Sequence, residues 1–321
     1  MDAIIGNRGL VGLNICVSHN FPHQFNSSNI PTHYDGEYDT VICAAAPGSM
    51  LLANRDPVSD ERSIDQLMHQ LSSIRCKNFI LISTIAVLAD FSESKSEEAD
   101  NFETSTAYGV NRRKLEIFCN QKFDSCLIVR LPALFGKGLK KNFIFDMLNP
   151  VPSLLTNPNH NYIRDILPLS LRPLFLMAFE WDTEILMYKI DRIKLNASPN
   201  KFELENWLIN SGNSALNFTN PDSIFQFYNL NRLWADTKIA FTSGLRLLHV
   251  SPAPLKAEKI YFSVKDTNMP QPSDGINAKK YEQDMQTLHG HLWGSHNSYI
   301  TQEQEIINEI KDFCKSYRSA G

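Results

Sequence analysis

Short apolar runs alternate with longer segments whose apolar residues recur at helical spacing, and the rhythm is clearest between Asp2 and Asn142. Ala3-Ile4-Ile5 predicts a strand, and three glycines spaced three apart follow it, Gly6, Gly9 and Gly12, opening a helix. Residues 24–30 fit a second strand with its exit turn. Residues 39–43 read as a buried strand entering the small-residue loop Ala44-Ala45-Ala46-Pro47-Gly48. Over 60–75, Ile64, Leu67, Met68 and Leu71 have the i, i+3, i+4, i+7 spacing of an amphipathic helix. Residues 77–84 and 126–131 are apolar runs of the parallel-sheet kind. Between them Thr104-Ser105-Thr106 is expected to cap a helix carrying Tyr108, Arg112, Arg113, Lys114 and Glu116. Strand and helix alternating in this way predict an α/β fold, a doubly wound, Rossmann-like parallel sheet with ligands at the carboxyl ends of the strands.

The second half is less regular. Residues 90–104 form an acidic stretch (Glu93, Glu97, Glu98, Asp100, Glu103) that reads as a solvated loop. From Asn149 to about Pro221 prolines cluster at 150, 152, 158, 168 and 173, and helical pieces covering the substrate side are expected. Regularity returns with 225–228, a helix over 231–243, a strand over 247–250, a turn-rich stretch over 270–275 and a closing helix over 301–316. The expected division is a dinucleotide-binding domain over 1–148 and a smaller, mostly helical substrate-side lobe over 149–321, with returning strand and helix segments.

Composition narrows the function classes. A formal charge of −4 leaves no basic footprint, which sets nucleic acid aside as a partner. The six cysteines are scattered without a C-x-x-C pair, which argues against a zinc ribbon or a disulfide framework and suits a reducing compartment. A strand at Ala3 leaves no room for a signal peptide. The apolar run over 166–179 is broken by Pro168, Arg172 and Pro173 and is too short for a membrane span. A cytoplasmic protein with no membrane partner is expected.

The candidate chemistry lies at the strand ends. A glycine turn from strand to helix lets backbone approach a pyrophosphate, and the new helix offers N–H groups and its positive dipole end. Asn26, Ser27 and Ser28 stand where a dinucleotide fold usually has an acid for the adenosine ribose; they suit a ribose or a 2′-phosphate. Three alanines, Ala44, Ala45 and Ala46, let a flat cofactor lie against the backbone, or serve close packing. Tyr108 and Arg112, four apart, share a helix face, and Thr84 ends a core strand. Such a set is either a surface pair or a proton-transfer arrangement, in which the hydroxyl orients a substrate oxygen and the cation is expected to draw the tyrosine pKa down. Lys140, Lys141 and Asn142, after the Gly136–Gly138 loop, form a solvated cluster or meet a diphosphate. His289, His291 and His296 have no acid or cysteine to complete a set, so no metal site is expected.

From Asp2 to Asn142 the chain resembles the extended short-chain dehydrogenase/reductases, the nucleotide-sugar epimerase and dehydratase family. The matching pieces are the glycine turn, the alanine loop, Ile82-Ser83-Thr84-Ile85-Ala86-Val87, Tyr108-Gly109 and Arg130-Leu131-Pro132-Ala133-Leu134-Phe135-Gly136. The later segment over 227–234 looks like the family's return to the substrate side. The resemblance implies NAD or NADP held by Gly6, Asn7, Arg8, Gly9, Leu10, Val11, Asn26, Ser27, Ser28, Ala44, Ala45, Ala46, Tyr108, Arg112 and Leu131. It also implies a nucleotide-activated sugar as substrate of an epimerisation, dehydration or reduction. Thr84 takes the family's Ser/Thr place and Tyr108 that of the general acid/base. A homodimer through helices such as 60–75 and 105–120 is a further family expectation. Two positions depart from the pattern. Arg112 stands where the family has lysine, and an arginine fork is not equivalent to an ammonium. Asn26 replaces the acid, leaving NAD and NADP both open. The alternative is a dinucleotide-binding regulator that keeps the fold without the chemistry.

Overall fold

In the computed structural model the apolar runs become β1 (Ala3–Ile5), β2 (His23–Phe25), β3 (Tyr38–Cys43), β4 (Cys76–Thr84), β5 (Cys126–Leu131) and β6 (Leu247–His249). Residues 1–30, 36–90, 92, 95–270 and 278–319 are described. Glu93 and most of the turn-rich stretch expected over 270–275 lie outside them. The six strands form one parallel sheet in the order β6-β5-β4-β3-β1-β2. Its register sets Ile4 beside Ile42, Val41 beside Phe79, Ile80 beside Leu127 and Val129 beside Leu248.

Successive strand residues point to opposite faces, so a strand covered on both sides must be apolar at every position. The core shows this directly. Ile5, Val41, Phe79, Leu81 and Ile128 pack on one face with Ile64, Leu67 and Leu71 of α3 (Pro57–Ser72) and Leu115 and Cys119 of α4 (Ala107–Lys122). Ile4, Ile42, Ile80, Leu127 and Val129 pack on the other with Ile15 of α1 (Leu10–Ser18) and Leu233 and Ala240 of α5 (Leu233–Thr242). The expected doubly wound fold is what the chain adopts. The sequence reading missed only one short helix here, α2 (Met50–Arg55), capped by the Ser49 hydroxyl.

The chain falls into two units, one comprising Met1–Leu139, Phe225–Leu255 and Glu282–Phe313, the other Lys140–Ile224, Lys256–Tyr281 and Cys314–Gly321. The boundary expected after residue 148 therefore falls inside the second unit. The first is discontinuous because the chain returns to deliver α5 and β6 to the sheet edge. On the way Phe227–Asn229 pairs in parallel with Ala133–Phe135, and the buried Tyr228 hydroxyl donates to Asp236 at 2.6 Å. The second unit has helices over Phe143–Leu148, Asn157–Ile166, Arg172–Ala178, Arg192–Asn196, Lys201–Asn210 and Ala257–Lys265. The expectation of helical pieces is incomplete, because an antiparallel sheet joins Leu154–Leu155, Met187–Ile190 and Phe179–Asp182. Its hairpin lacks a glycine or proline signal. The Asp182 carboxylate makes the turn instead, accepting the Glu184 and Ile185 N–H groups, and Leu186 takes a positive φ of 48°.

One polar cluster crosses the first unit's core. Arg130 of β5, 1% exposed, grips Glu116 of α4 with two parallel bonds, Nε to Oε1 at 2.9 Å and Nη2 to Oε2 at 2.7 Å. Ser83 Oγ donates to Glu116 at 2.6 Å, and Arg130 Nη1 lies 3.1 Å from His249 Nε2. Arginine can only donate, so Nε2 accepts and His249 carries its proton on Nδ1, 3.3 Å from the Gln286 carbonyl. Burial, aided by the Arg130 charge and against the pull of Glu97, pushes His249 down to about 4.

Two outcomes follow for stability. Arg130→Met leaves the Glu116 carboxylate buried without its main partner and is expected to cost about 3–5 kcal/mol in denaturant unfolding. His249 titrates lower in the folded chain than its ordinary 6.5, so as pH falls the unfolded chain takes the proton first. Its contribution is intact above that value and lost on the way down to about 4. His249→Gln is expected to flatten the acid limb of a stability-against-pH curve across that window.

Candidate functional site

A cleft of about 420 Å³ opens at the carboxyl ends of β1, β2 and β3, all within the first unit. Gly6, Arg8, Gly9, Asn26, Ser27 and the loop Ala44-Ala45-Ala46-Pro47-Gly48 line it, with Ser63, Gln66 and Gln70 from α3. The glycine turn is shaped by steric need. Gly6 has φ +93°, and a Cβ there would stand 2.4 Å from the Ala44 carbonyl oxygen; a Cβ on Gly12 would stand 2.1 Å from that of Gly6. Gly9 is different, with ordinary space around its missing Cβ, and it is the N-cap of α1 with no side chain capping the helix. Backbone close to an uncapped helix start, at the mouth of a cleft, fits a pyrophosphate.

The second-strand exit is organised by amides and hydroxyls. Asn26 donates to Asn7 Oδ1 at 3.1 Å and Asn7 to Gln24 at 3.0 Å, while Arg8 Nη1 donates to Ser28 Oγ at 3.1 Å. Arg8 is the one charged residue among the described residues that line the cleft. Asn7 and Ser28 are tied into this network beside the lining. The Leu10 and Val11 side chains pack against the core instead, and Leu131 is buried within it, in register with Thr84.

Thr84 ends β4, and its Oγ1 accepts the Ala86 N–H at 3.2 Å. Tyr108 lies in the first turn of α4, and the nearby Thr84 hydroxyl favours its ionised form. The expected Thr104-Ser105-Thr106 cap is not what starts this helix. Thr106 occupies the N-cap position without a capping bond from its side chain, and the Glu103 carboxylate accepts the Ser105 and Thr106 N–H groups. Although burial opposes it, bonds from Ser105 and Thr106 hold the Glu103 carboxyl down at about 2.

Arg112 departs most from expectation. It is 2% exposed, and its fork is engaged by the protein: Nη1 donates to the Asp60 carboxylate of α3 and Nη2 to the Pro47 carbonyl. Its Nε is buried without a hydrogen-bond partner. The guanidinium carbon stacks 4.1 Å from the Tyr108 ring centroid. The cation was expected to draw the tyrosine toward phenolate, yet Tyr108 is raised above its ordinary value. Burial raises it most and Asp60 adds to that, outweighing Arg112 and the Thr84 bond. Tyr108 is thereby held in its protonated form. Lys114 points away from it, to Glu61 and Asp65.

Lys140, Lys141 and Asn142 belong to the second unit. Asn142 caps the helix Phe143–Leu148, its Oδ1 accepting the Phe145 N–H at 3.2 Å, and burial lowers the Lys141 pKa. Among the described residues, no group of three His, Cys, Asp or Glu is placed to hold a metal ion, and no helix is long and apolar enough to cross a membrane. Sequence reasoning missed Asp60, Asn54, Ser63, Gln66 and Gln70. Asp60 did leave a signal, since it extends the buried stripe of Ile64, Leu67 and Leu71 one turn upstream. A carboxylate on a core-facing stripe needs a partner.

No protein-family profile matches the chain, and neither does any curated protein sequence. Its fold does match solved structures over nearly its whole length. A UDP-N-acetylglucosamine 4-epimerase from Methanobrevibacter ruminantium superposes with a TM-score of 0.61 at 11% identity, covering 100% of this chain and 98% of that one. RMD from Pseudomonas aeruginosa, solved with NADPH, gives 0.60 at 15% identity, covering 100% and 99%. A UDP-glucuronic acid 4-epimerase variant from Bacillus cereus, solved with NAD, gives 0.60 at 11%, covering 99% and 100%. The class these similarities define is one of fold: the Rossmann-like architecture of sugar-nucleotide reductases and epimerases.

The glycine geometry is open to test. Gly12→Ala drives a Cβ into backbone and is expected to cost about 2–4 kcal/mol, whereas Gly9→Ala is expected to cost less than about 1 kcal/mol in the same unfolding measurement.

Proposed function

We propose that the protein is an NADP(H)-dependent reductase of a keto group on a nucleotide-activated sugar, with Tyr108 as proton donor. One observation carries this reading: the Arg112 guanidinium joins a cleft-lining carbonyl, that of Pro47, to the face of Tyr108. A proton donor is thereby fixed beside a cleft suited to a dinucleotide. Gly6, Gly9 and the first turn of α1 would hold the pyrophosphate, and Ala44, Ala45 and Ala46 would face the flat parts. Arg8 with Ser27 and Ser28 favours the 2′-phosphate of NADP, since the described lining residues include a cation and no carboxylate. When bound, the reduced nicotinamide supplies a hydride to the carbonyl carbon. Thr84 hydrogen-bonds the substrate oxygen and Tyr108 gives it a proton, regaining one from solvent afterwards. Reduction is the direction in which a protonated Tyr108, as burial keeps it, acts as the donor. The sugar-nucleotide substrate is taken from the structural neighbours, among which are UDP-sugar epimerases and a dTDP-4-dehydrorhamnose reductase from Clostridium acetobutylicum.

A second reading, a dinucleotide-binding protein without turnover, is favoured by the engagement of both Arg112 terminal nitrogens within the protein. Mixing the protein with NADPH and a nucleotide 4-keto-sugar separates the two. Turnover is expected, with Tyr108→Phe lowering kcat about 10²–10⁴-fold at unchanged NADPH affinity. Full turnover by Tyr108→Phe would refute the assignment, and binding without turnover in the unaltered protein would favour the second reading. Two further variants probe the cleft itself. Gly9→Ala, which the fold accommodates, is expected to weaken NADPH binding about tenfold or more by filling the cradle. Arg8→Ala is expected to reduce the preference for NADPH over NADH by a similar factor.

A further inference from the structure

The junction of α3, α4 and the cleft loop contains a carboxylate that the proposed chemistry does not use. Asp60 is 6% exposed and accepts from two neighbours on α4, Asn111 Nδ2 at 2.8 Å and Arg112 Nη1. The same guanidinium reaches the cleft loop through the Pro47 carbonyl and covers one face of Tyr108. A second tie comes from α2, where Asn54 Oδ1 accepts the Tyr108 backbone N–H at 2.9 Å.

A buried guanidinium needs both an opposite charge and acceptors in the plane of its fork. Asp60 supplies the charge and fixes that plane. With Nη1 held there, Nη2 meets Pro47 and the flat face meets the Tyr108 ring. We infer that Asp60 is a positioning residue, orienting Arg112 so that it pins the cleft loop at Pro47 and keeps Tyr108 in place as a proton donor. This deepens the proposed reductase reading and rests on it for the word donor; the geometry is independent of that reading. The groups that face the Tyr108 hydroxyl and ring electrostatically are Arg112, Asp60 and Thr84. Removing the Asp60 charge leaves Arg112 less balanced beside the ring and the loop less firmly held.

Asp60→Asn keeps the shape and removes the charge. Two readouts on this variant go beyond activity. NADPH affinity, from a fluorescence titration, is expected to fall about tenfold as the loop loosens. The Tyr108 ionisation, read from tyrosinate absorbance against a Tyr108→Phe control, is expected to move down by about half a pH unit or more. Asp60→Glu, which restores the charge, is expected to recover most of both. Asp60→Asn with affinity within twofold of the unaltered protein and an unmoved tyrosine titration overturns the proposal. Should Asp60→Asn not fold, Arg112→Lys carries the test, because an ammonium keeps the charge without a planar fork spanning Asp60 and Pro47. Affinity about tenfold weaker at an unchanged Tm supports the proposal, and unchanged affinity overturns it. Failure of the reductase reading is seen separately, as an unaltered protein that reduces no nucleotide keto-sugar while the tyrosine titration responds to Asp60 as described.

Discussion

The bidentate contact between Arg130 and Glu116 sets the frame for the rest of the first unit. Glu116 is on α4 and Arg130 on β5, so the pair locks the helix bearing Tyr108 against the strand beside β4. Ser83, bonded to the same carboxylate, precedes the Thr84 hydroxyl by one residue, and His249 extends the contact to β6. A buried ion pair gains little over apolar packing in stability, because desolvating two charges costs much of what their attraction returns. Its value here is directional. Apolar packing tolerates small slides of a helix along a sheet, whereas two parallel N–H···O bonds admit one register. Thr84 and Tyr108 come from separate elements, so that register decides whether their hydroxyls meet.

The same logic recurs one turn earlier on α4. Arg112 and Glu116 are four apart on the helix face that also buries Leu115 and Cys119, and each finds its opposite charge elsewhere, on α3 and on β5. Arg112 also touches two groups of the candidate site, whereas Glu116 acts from beneath it. This arrangement accounts, in terms of neighbours, for an arginine where the family that the sequence resembles has lysine. An ammonium is a point charge free to follow a ligand, while a guanidinium held at two nitrogens is part of the wall. The altered residue and its altered environment therefore belong together, and Asp60 is the residue that makes Arg112 tolerable in the core.

Much of the fold was legible because a parallel strand buried on both faces leaves a short continuous apolar run, and here such runs recur between segments of helical period. The runs at Ala3-Ile4-Ile5, 126–131 and 77–84 were placed to within a residue for this reason. The hairpin of the second unit was not, since Asp182 makes its turn by side-chain bonds and the nearby prolines suggested irregular chain. The cleft was legible at its glycines and alanines, whose small size is itself the requirement. What could not be read was how charges pair. Spacing placed Tyr108 and Arg112 on one helix face, but the net direction of the tyrosine's shift is set first by its burial, with Asp60, the distant partner of Arg112, adding to it. A local motif can state that a cation is near a tyrosine; it cannot state that the cation has already been neutralised.

That limit bears on how the site is to be understood. A tyrosine beside a cation in open solvent would be drawn toward phenolate; Tyr108 keeps its proton because burial, with a smaller push from Asp60, outweighs the pull of Arg112. Arg8, by contrast, lies at the cleft edge with a hydroxyl for its partner and no carboxylate among the described residues lining the cleft. The positive charge of the site is thus spent inwardly at Arg112 and offered outwardly at Arg8. Arg8 offers positive charge to a phosphate-bearing ligand at its end of the cleft, while at Tyr108 the charge of Arg112 is already paired with Asp60. The two arginines therefore act differently: Arg8 can meet a ligand's charge directly, whereas Arg112 acts on the cleft loop and on Tyr108 through its pairing with Asp60.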